Sequence, residues 1–119
     1  MVNHLTTGEQ GERIAADFLQ HQGYTILEYR YRSKLGEIDI IATQGEWLIF
    51  VEVKTRKNTT FGYPSEAVHY RKQTKIIHTA LQYLSYSGRH NSPMRFDVIE
   101  VLLIPGNHSI NHIQNAFGR

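Results

Sequence analysis

A chain of 119 residues without a single cysteine has room for one hydrophobic core, and no disulfide frame, thiolate zinc site or thiol catalysis is open to it. Its longest apolar runs, Trp47–Val51 and Val98–Pro105, are far too short to span a bilayer, and the second is broken by Glu100, so a cytoplasmic protein without membrane contact is expected, folded as a single domain over residues 1–119. Net charge is only +2, yet six basic residues (Lys54, Arg56, Lys57, Arg71, Lys72, Lys75) face one acid, Glu66, between positions 54 and 75.

Taken in chain order, Thr6 and Glu9 form a capping-box pair that opens a helix ending near Gly23. Its stripe is Gly11, Ile14, Ala15, Phe18 and Leu19, whose small members permit close packing on a sheet. A first strand over Tyr24–Arg32 follows, rich in Tyr and Ile, and Ser33-Lys34-Leu35-Gly36 turns the chain into a hairpin with strands at 37–43 and 47–55. The loop from Asn58 to Pro64 leads to Ser65, an N-cap for a helix that carries Tyr70, Ile77, Ala80, Leu81 and Leu84 and runs to about Ser85. Gly88 to Pro93 breaks the chain before a strand at Arg95–Ile104, and Ser109–Ala116 makes a weaker last strand after Pro105-Gly106-Asn107. The order αβββαββ is that of an α/β domain, a mixed sheet with helices packed on it.

The hairpin carries the chemistry. Glu37 and Asp39 alternate with Ile38 and Ile40, and Glu52 and Lys54 alternate with Val51 and Val53, so each polar pair leaves its strand on one side. A loop symmetric about Gln44–Gly45 sets Asp39 opposite Phe50 and diagonal to Glu52, about 7–8 Å away along the backbone. Two carboxylates leaning across that gap can share one divalent ion, since Mg²⁺ takes oxygen ligands and usually one or two protein carboxylates. A lysine beside it can hold the attacking water or stabilise a pentavalent phosphate. The plainer reading is a solvated polar face. Against that, Ile-Phe-Val precedes Glu52, which is how a buried central strand reads, and buried acids are paired or metal-bound.

The segments GEIDIIA (36–42), FVEVKTR (50–56), FGYPSEAV (61–68), RKQ (71–73) and RFDVIEV (95–101), in this order, resemble the YraN family, small bacterial proteins similar to Holliday-junction resolvases. The resemblance spans nearly the whole chain. It implies a restriction-endonuclease-like mixed central sheet flanked by helices, and the metal-dependent PD-D/E-x-K nuclease site. Asp39 takes the position of the motif's aspartate, Glu52 that of its second acid and Lys54 that of its lysine. Glu12 on the first helix matches the further acid that resolvase-like members give to the metal, and Gln73 sits where related nucleases place a polar helix residue. Asp39 follows Ile38 where the motif's name has proline, and Arg30 stands where the family more usually shows asparagine.

Glu12 also fits a helix N-terminus, where an acid is favourable. Glu37 can instead pair with Lys54 or Arg32 across the hairpin and ranks as support. Asp97, flanked by Phe96 and Val98, reads as a structural partner for a basic residue of a helix or loop. His108 and His112 are four apart, but in turn and strand, where that spacing makes no zinc pair; His78 falls on the polar side of its helix. Tyr63, Tyr70, Tyr83 and Tyr86 are candidates for stacking on unpaired bases or for core and rim. The expectation is a Mg²⁺-dependent endonuclease, with Mn²⁺ as substitute, acting on DNA of branched or junction form. Asp39, Glu52 and the Val53 carbonyl hold the ion; Lys54 orients water; Arg32, Arg56, Lys57, Arg71, Lys72 and Lys75 grip phosphates without sequence preference. Two sites for a symmetric junction make a homodimer attractive. A non-catalytic nucleic-acid-binding module and a scaffold of a DNA-processing complex are the alternatives.

Overall fold

The computed structural model describes residues 5–57 and 69–118. The expected loop at Asn58–Pro64, the Ser65 cap and Tyr63 lie outside the described residues. Helix α1 (Thr7–His21) opens with the capping box read from the sequence: the Thr6 side chain accepts from the Glu9 amide, and the Glu9 carboxylate accepts from the Thr6 amide. Strands β1 (Thr25–Arg32), β2 (Glu37–Gln44) and β3 (Trp47–Arg56) follow, then helix α2 (Tyr70–Ser87) and strands β4 (Met94–Ile104) and β5 (Asn107–Phe117). The order αβββαββ is the expected one. Among the described residues no helix is long and apolar enough to cross a membrane.

The five strands form one sheet in sequential order. All neighbours pair antiparallel except β3 and β4, which are parallel and joined through α2; that crossover makes the sheet mixed. One apolar cluster joins Ala15, Ala16 and Leu19 of α1 to Ile40, Ala42, Ile49, Val51, Ile99 and Val101. The other joins Ile76, Ile77, Ala80, Tyr83 and Leu84 of α2 to Ile41, Leu48, Phe50 and Phe96. Strand residues 40, 42, 49 and 51 thus face α1 while 41, 48 and 50 face α2, so both faces of β2 and β3 are covered. This is why these strands read as near-continuous apolar runs. Gly11 brings α1 onto β3 at Thr55: a Cβ there would lie 1.7 Å from the Thr55 hydroxyl oxygen and 2.8 Å from its Cβ. The small residues of the α1 stripe permit the approach the sequence suggested.

Two expectations are corrected. The hairpin turns at Gly45 (φ 59°) and Glu46, with Gln44 opposite Trp47 and Ile41, not Asp39, opposite Phe50. A shift of two positions keeps every side chain on its face, whereas a shift of one would have reversed them. The second correction concerns Tyr70, expected on the buried stripe of α2, which stands 81% exposed at the helix start. The buried stripe is Ile76, Ile77, Thr79, Ala80, Tyr83 and Leu84, which keeps the expected Ile77, Ala80 and Leu84 and widens it by Ile76, Thr79 and Tyr83.

Candidate active site

The ladder between β2 and β3 runs from Gln44↔Trp47 to Ile40↔Val51 and ends there, while β2 stays paired with β1 through Glu37↔Arg32. Carried one residue further, the same alignment sets Asp39 opposite Glu52. At this point the pleat of β2 also breaks. Ile38 packs in the α2 cluster and Ile40 in the α1 cluster, although residues two apart on a regular strand share a face. Glu37 and Asp39 therefore do not leave a regular pleat side by side as alternation suggested. Across from Asp39 on β1, Arg30 has φ 49°, the left-handed region that asparagine tolerates far better than arginine.

The parting of the strands leaves the Val53 amide without a ladder partner on the β2 side. Asp39 supplies one: its Oδ2 accepts from Val53 N at 2.8 Å, as backbone accounting demands of a buried N–H. The Asp39 carboxyl also hydrogen-bonds that of Glu52. Glu52 is only 4% exposed, and on the α2 side it forms ion pairs with Lys72 and with Lys54, whose Nζ lies 3.7 Å from Oε2. Two acids and two lysines from β2, β3 and α2 thus form one half-buried cluster.

Its electrostatics follow from burial and contact. Burial pushes the Asp39 carboxyl up, the Glu52 hydrogen bond and charge push it further, and against the Val53 amide it reaches about 9. Burial alone would raise Glu52 as well, but the hydrogen bond from Asp39 and the two ammonium groups outweigh it and hold Glu52 below the usual carboxylate range. One carboxyl keeps a proton so that its neighbour can stay ionised, which is how two close acids divide a charge. Burial and the neighbouring Lys72 hold the Lys54 ammonium below its ordinary value. For Lys72 burial works downward too, but Glu52 prevails and holds it above.

The other expected residues divide between this cluster and its surroundings. Gln73 is half-buried in the first turn of α2, one residue past Lys72. Glu12 is held by Arg30, with Nε–Oε1 2.7 Å, and Glu9 flanks the same guanidinium at 3.9 Å. Its charge is nevertheless felt at Asp39 as a minor upward push. Among the described residues no three His, Asp or Glu side chains gather closely enough to hold an ion by themselves, so the acidic centre is the Asp39–Glu52 pair alone. Glu37 takes the second of its two anticipated partners, Arg32, at 2.7 Å. Lys57, Arg71 and Lys75 are exposed, and Arg56 is half-buried at the end of β3. Lys72, expected among the phosphate-gripping residues, lies against Glu52. Its signal was present: Lys72 precedes Ile76 by four and Thr79 by seven, so it lies on the buried stripe of α2, where a lysine needs an acid opposite.

Asp97 is fully buried in a separate network on the α1 side. Its carboxylate accepts from Arg95 Nε at 2.8 Å and Nη2 at 3.0 Å, from Asn115 N at 2.9 Å, and lies 2.7 Å from His112 Nε2. Arg95 Nη2 reaches on to the Tyr24 hydroxyl at 2.9 Å. The acid is a structural partner, as expected, but its bases come from its own strand and from β5, not from a helix or loop. His112 is thereby accounted for without a metal.

Residues 11–101 match the model of the uncharacterised protein family UPF0102. Curated relatives extend the likeness to nearly the whole chain. A UPF0102 protein of Clostridioides difficile is 49% identical over 116 residues, covering 98% of this chain and 100% of the relative. One from Caldanaerobacter subterraneus is 48% identical over 119 residues, covering 98% of each. A more distant one from Rhodococcus jostii is 43% identical over 118 residues, with 98% and 100% covered. The matched span holds α1 from Gly11, the whole acidic hairpin, Lys72 and the Arg95–Asp97 network, and on this match the chain belongs to UPF0102.

Proposed function

We propose that the protein is a divalent-metal-dependent nuclease that hydrolyses phosphodiester bonds of DNA, with branched or junction DNA the preferred form, on a restriction-endonuclease-like sheet. The observation that carries this reading is the meeting of the Asp39 and Glu52 carboxyls where β2 parts from β3, with Lys54 beside them. The donor set suits Mg²⁺: two carboxylates, already close enough to hydrogen-bond, converge on the parting of the strands. Val53 directs its N–H into that parting, and a strand residue presents its N–H and C=O to the same edge, so its carbonyl is a third oxygen for the ion.

When bound, Mg²⁺ polarises the phosphoryl oxygen and lowers the pKa of water, with phosphate and solvent completing its shell. Asp39 and Glu52 hold the ion and fix its place against the strand end. Lys54, with an ammonium held below its ordinary value, gives up a proton more readily than a solvent-exposed lysine and suits the task of holding the attacking water. Gln73, half-buried in the first turn of α2, would steady water or phosphate from the α2 side. Lys57, Arg71 and Lys75, with Arg56 at the strand end and Arg32 beyond Glu37, give the phosphate backbone a sequence-independent track. Glu12 is a reserve acid, bound by Arg30 in this conformation. A two-fold homodimer would supply the paired cuts that resolve a symmetric junction.

The test is incubation of the purified protein with Mg²⁺ or Mn²⁺ and linear, flapped and four-way DNAs, beside matching RNAs. Wild type cuts at least one DNA form, whereas Asp39→Ala and Lys54→Ala do not. Cutting that survives both substitutions belongs to a contaminant. Tight binding with no cutting of any substrate favours the non-catalytic module, and cutting confined to RNA would replace the substrate.

A further inference from the structure

The metal reading leaves one contact unexplained. A nuclease site that needs a cation between Asp39 and Glu52 has no evident use for a lysine from α2 paired with Glu52 (only 4% exposed) when Lys54 already lies beside that carboxylate. Lys72 differs from Lys54 in where it comes from. Lys54 stands on β3 two residues past Glu52, fixed by the same strand. Lys72 stands in the first turn of α2, whose cap residue His69 makes no side-chain capping bond, and its side chain is 42% exposed at the mouth of the cluster. Its Nζ can therefore leave Glu52 for solvent or for an incoming phosphate without disturbing the core.

We infer that Lys72 is a placeholder cation: its ammonium occupies Glu52 until a divalent ion arrives, and is then released to hold the substrate phosphate. The inference deepens the proposed nuclease reading and rests on it. A buried carboxylate without a close counter-charge is costly, and in the metal-free protein Lys72 meets Glu52 directly while the Lys54 Nζ stays 3.7 Å away. A lysine is suited to the exchange because its point charge on a flexible stem forms and breaks a pair without a fixed bidentate geometry. Metal entry then carries a tax, because only molecules whose Glu52 is free can bind. Once the dication is in place, the displaced ammonium stands at the rim, on the helix that also presents Arg71 and Lys75. Metal binding and phosphate binding are thereby linked through one side chain.

The experiment uses the full chain with Mn²⁺ as probe, followed by calorimetry and by the metal-induced shift in melting temperature. Lys72→Met and Lys72→Gln are expected to melt lower than wild type without metal, yet to bind Mn²⁺ about tenfold more tightly and to gain more from it in melting temperature. Lys72→Arg, which keeps the charge, shows no such tightening. A fluorescent four-way DNA is the second readout: in Ca²⁺ the Met variant binds it more weakly than wild type does, and in chelator the two differ less. Asp39→Asn separates the two hypotheses. If wild type binds Mn²⁺ through Asp39 but Lys72→Met binds it no more tightly, the placeholder role is overturned and the metal site stands. If wild type binds no Mn²⁺ at all, both fall together.

Discussion

The sharpest consequence of the Asp39–Glu52 contact is a pH-dependence that Asp39→Asn should erase. In the folded, metal-free protein Asp39 keeps its proton up to about 9, whereas in the unfolded chain an aspartate loses it near about 3.9. Between those limits the folded state binds one more proton than the unfolded state. Stability from this group is therefore fully present below the unfolded value and lost as pH rises through the folded one. The slope is up to about 1.4 kcal/mol per pH unit, so about 3 kcal/mol between about pH 6 and 8. Glu52 does not cancel it there: its folded pKa is depressed, so its contribution is present above the unfolded value and changes only at acid pH. Asparagine reproduces the protonated acid, with an oxygen for the Val53 amide and an NH₂ for Glu52, and has no proton to lose. Urea denaturation in chelator at several pH values gives the difference between variant and wild type, with other titrating groups cancelling. Asp39→Asn should match wild type only near about pH 4 and exceed it by a margin that widens by up to about 1.4 kcal/mol for each pH unit above that. Parallel profiles for the two proteins would refute the shared proton and, with it, the closeness of the two carboxyls.

Other expectations follow from the packing and the charges. Asp97→Ala removes the fully buried acid that the half-buried Arg95 and His112 share and should cost about 3–5 kcal/mol by urea denaturation. Because burial raises the Asp97 carboxyl but His112, Arg95 and the Asn115 amide together hold it below its usual value, its stabilisation is present at neutral pH and lost on acidification, so the variant should also show a flatter acid limb. Gly11→Ala puts a Cβ into Thr55 and should cost about 1–3 kcal/mol through overpacking. Arg71→Ala and Lys75→Ala, both exposed on α2, should weaken DNA binding in any sequence and lower the slope of log affinity against log salt by about 0.9 each if each meets one phosphate.

How much of this the residues disclosed depends on the range of the forces involved. The capping box of α1, the order of elements and the acidic hairpin were legible because capping, helical periodicity and strand patterning act within a few residues. The register of the hairpin was not: Thr43-Gln44-Gly45-Glu46 admits a turn at Gln44–Gly45 or at Gly45–Glu46, and the choice is made by which rows of Ile, Leu and Phe fill the two faces. The error left the site intact only because it was a shift of two. The break of the pleat at Asp39 has no local mark in the sequence: across from it Arg30 adopts φ 49°, a conformation that an arginine does not announce. The contact of Lys72 with Glu52 is legible only in part: Lys72 shares a helix face with Ile76, Thr79 and Tyr83, but which acid stands opposite depends on how the crossover from β3 lays α2 on the sheet.

The most direct measurement is anomalous diffraction from crystals of the full chain grown with Mn²⁺, collected for wild type and Asp39→Asn. A single strong peak in the parting of β2 and β3, within about 2.5 Å of one oxygen from each of Asp39 and Glu52, and lost in the variant, is the predicted result. A peak bound elsewhere, or no peak at all at saturating Mn²⁺, would contradict it.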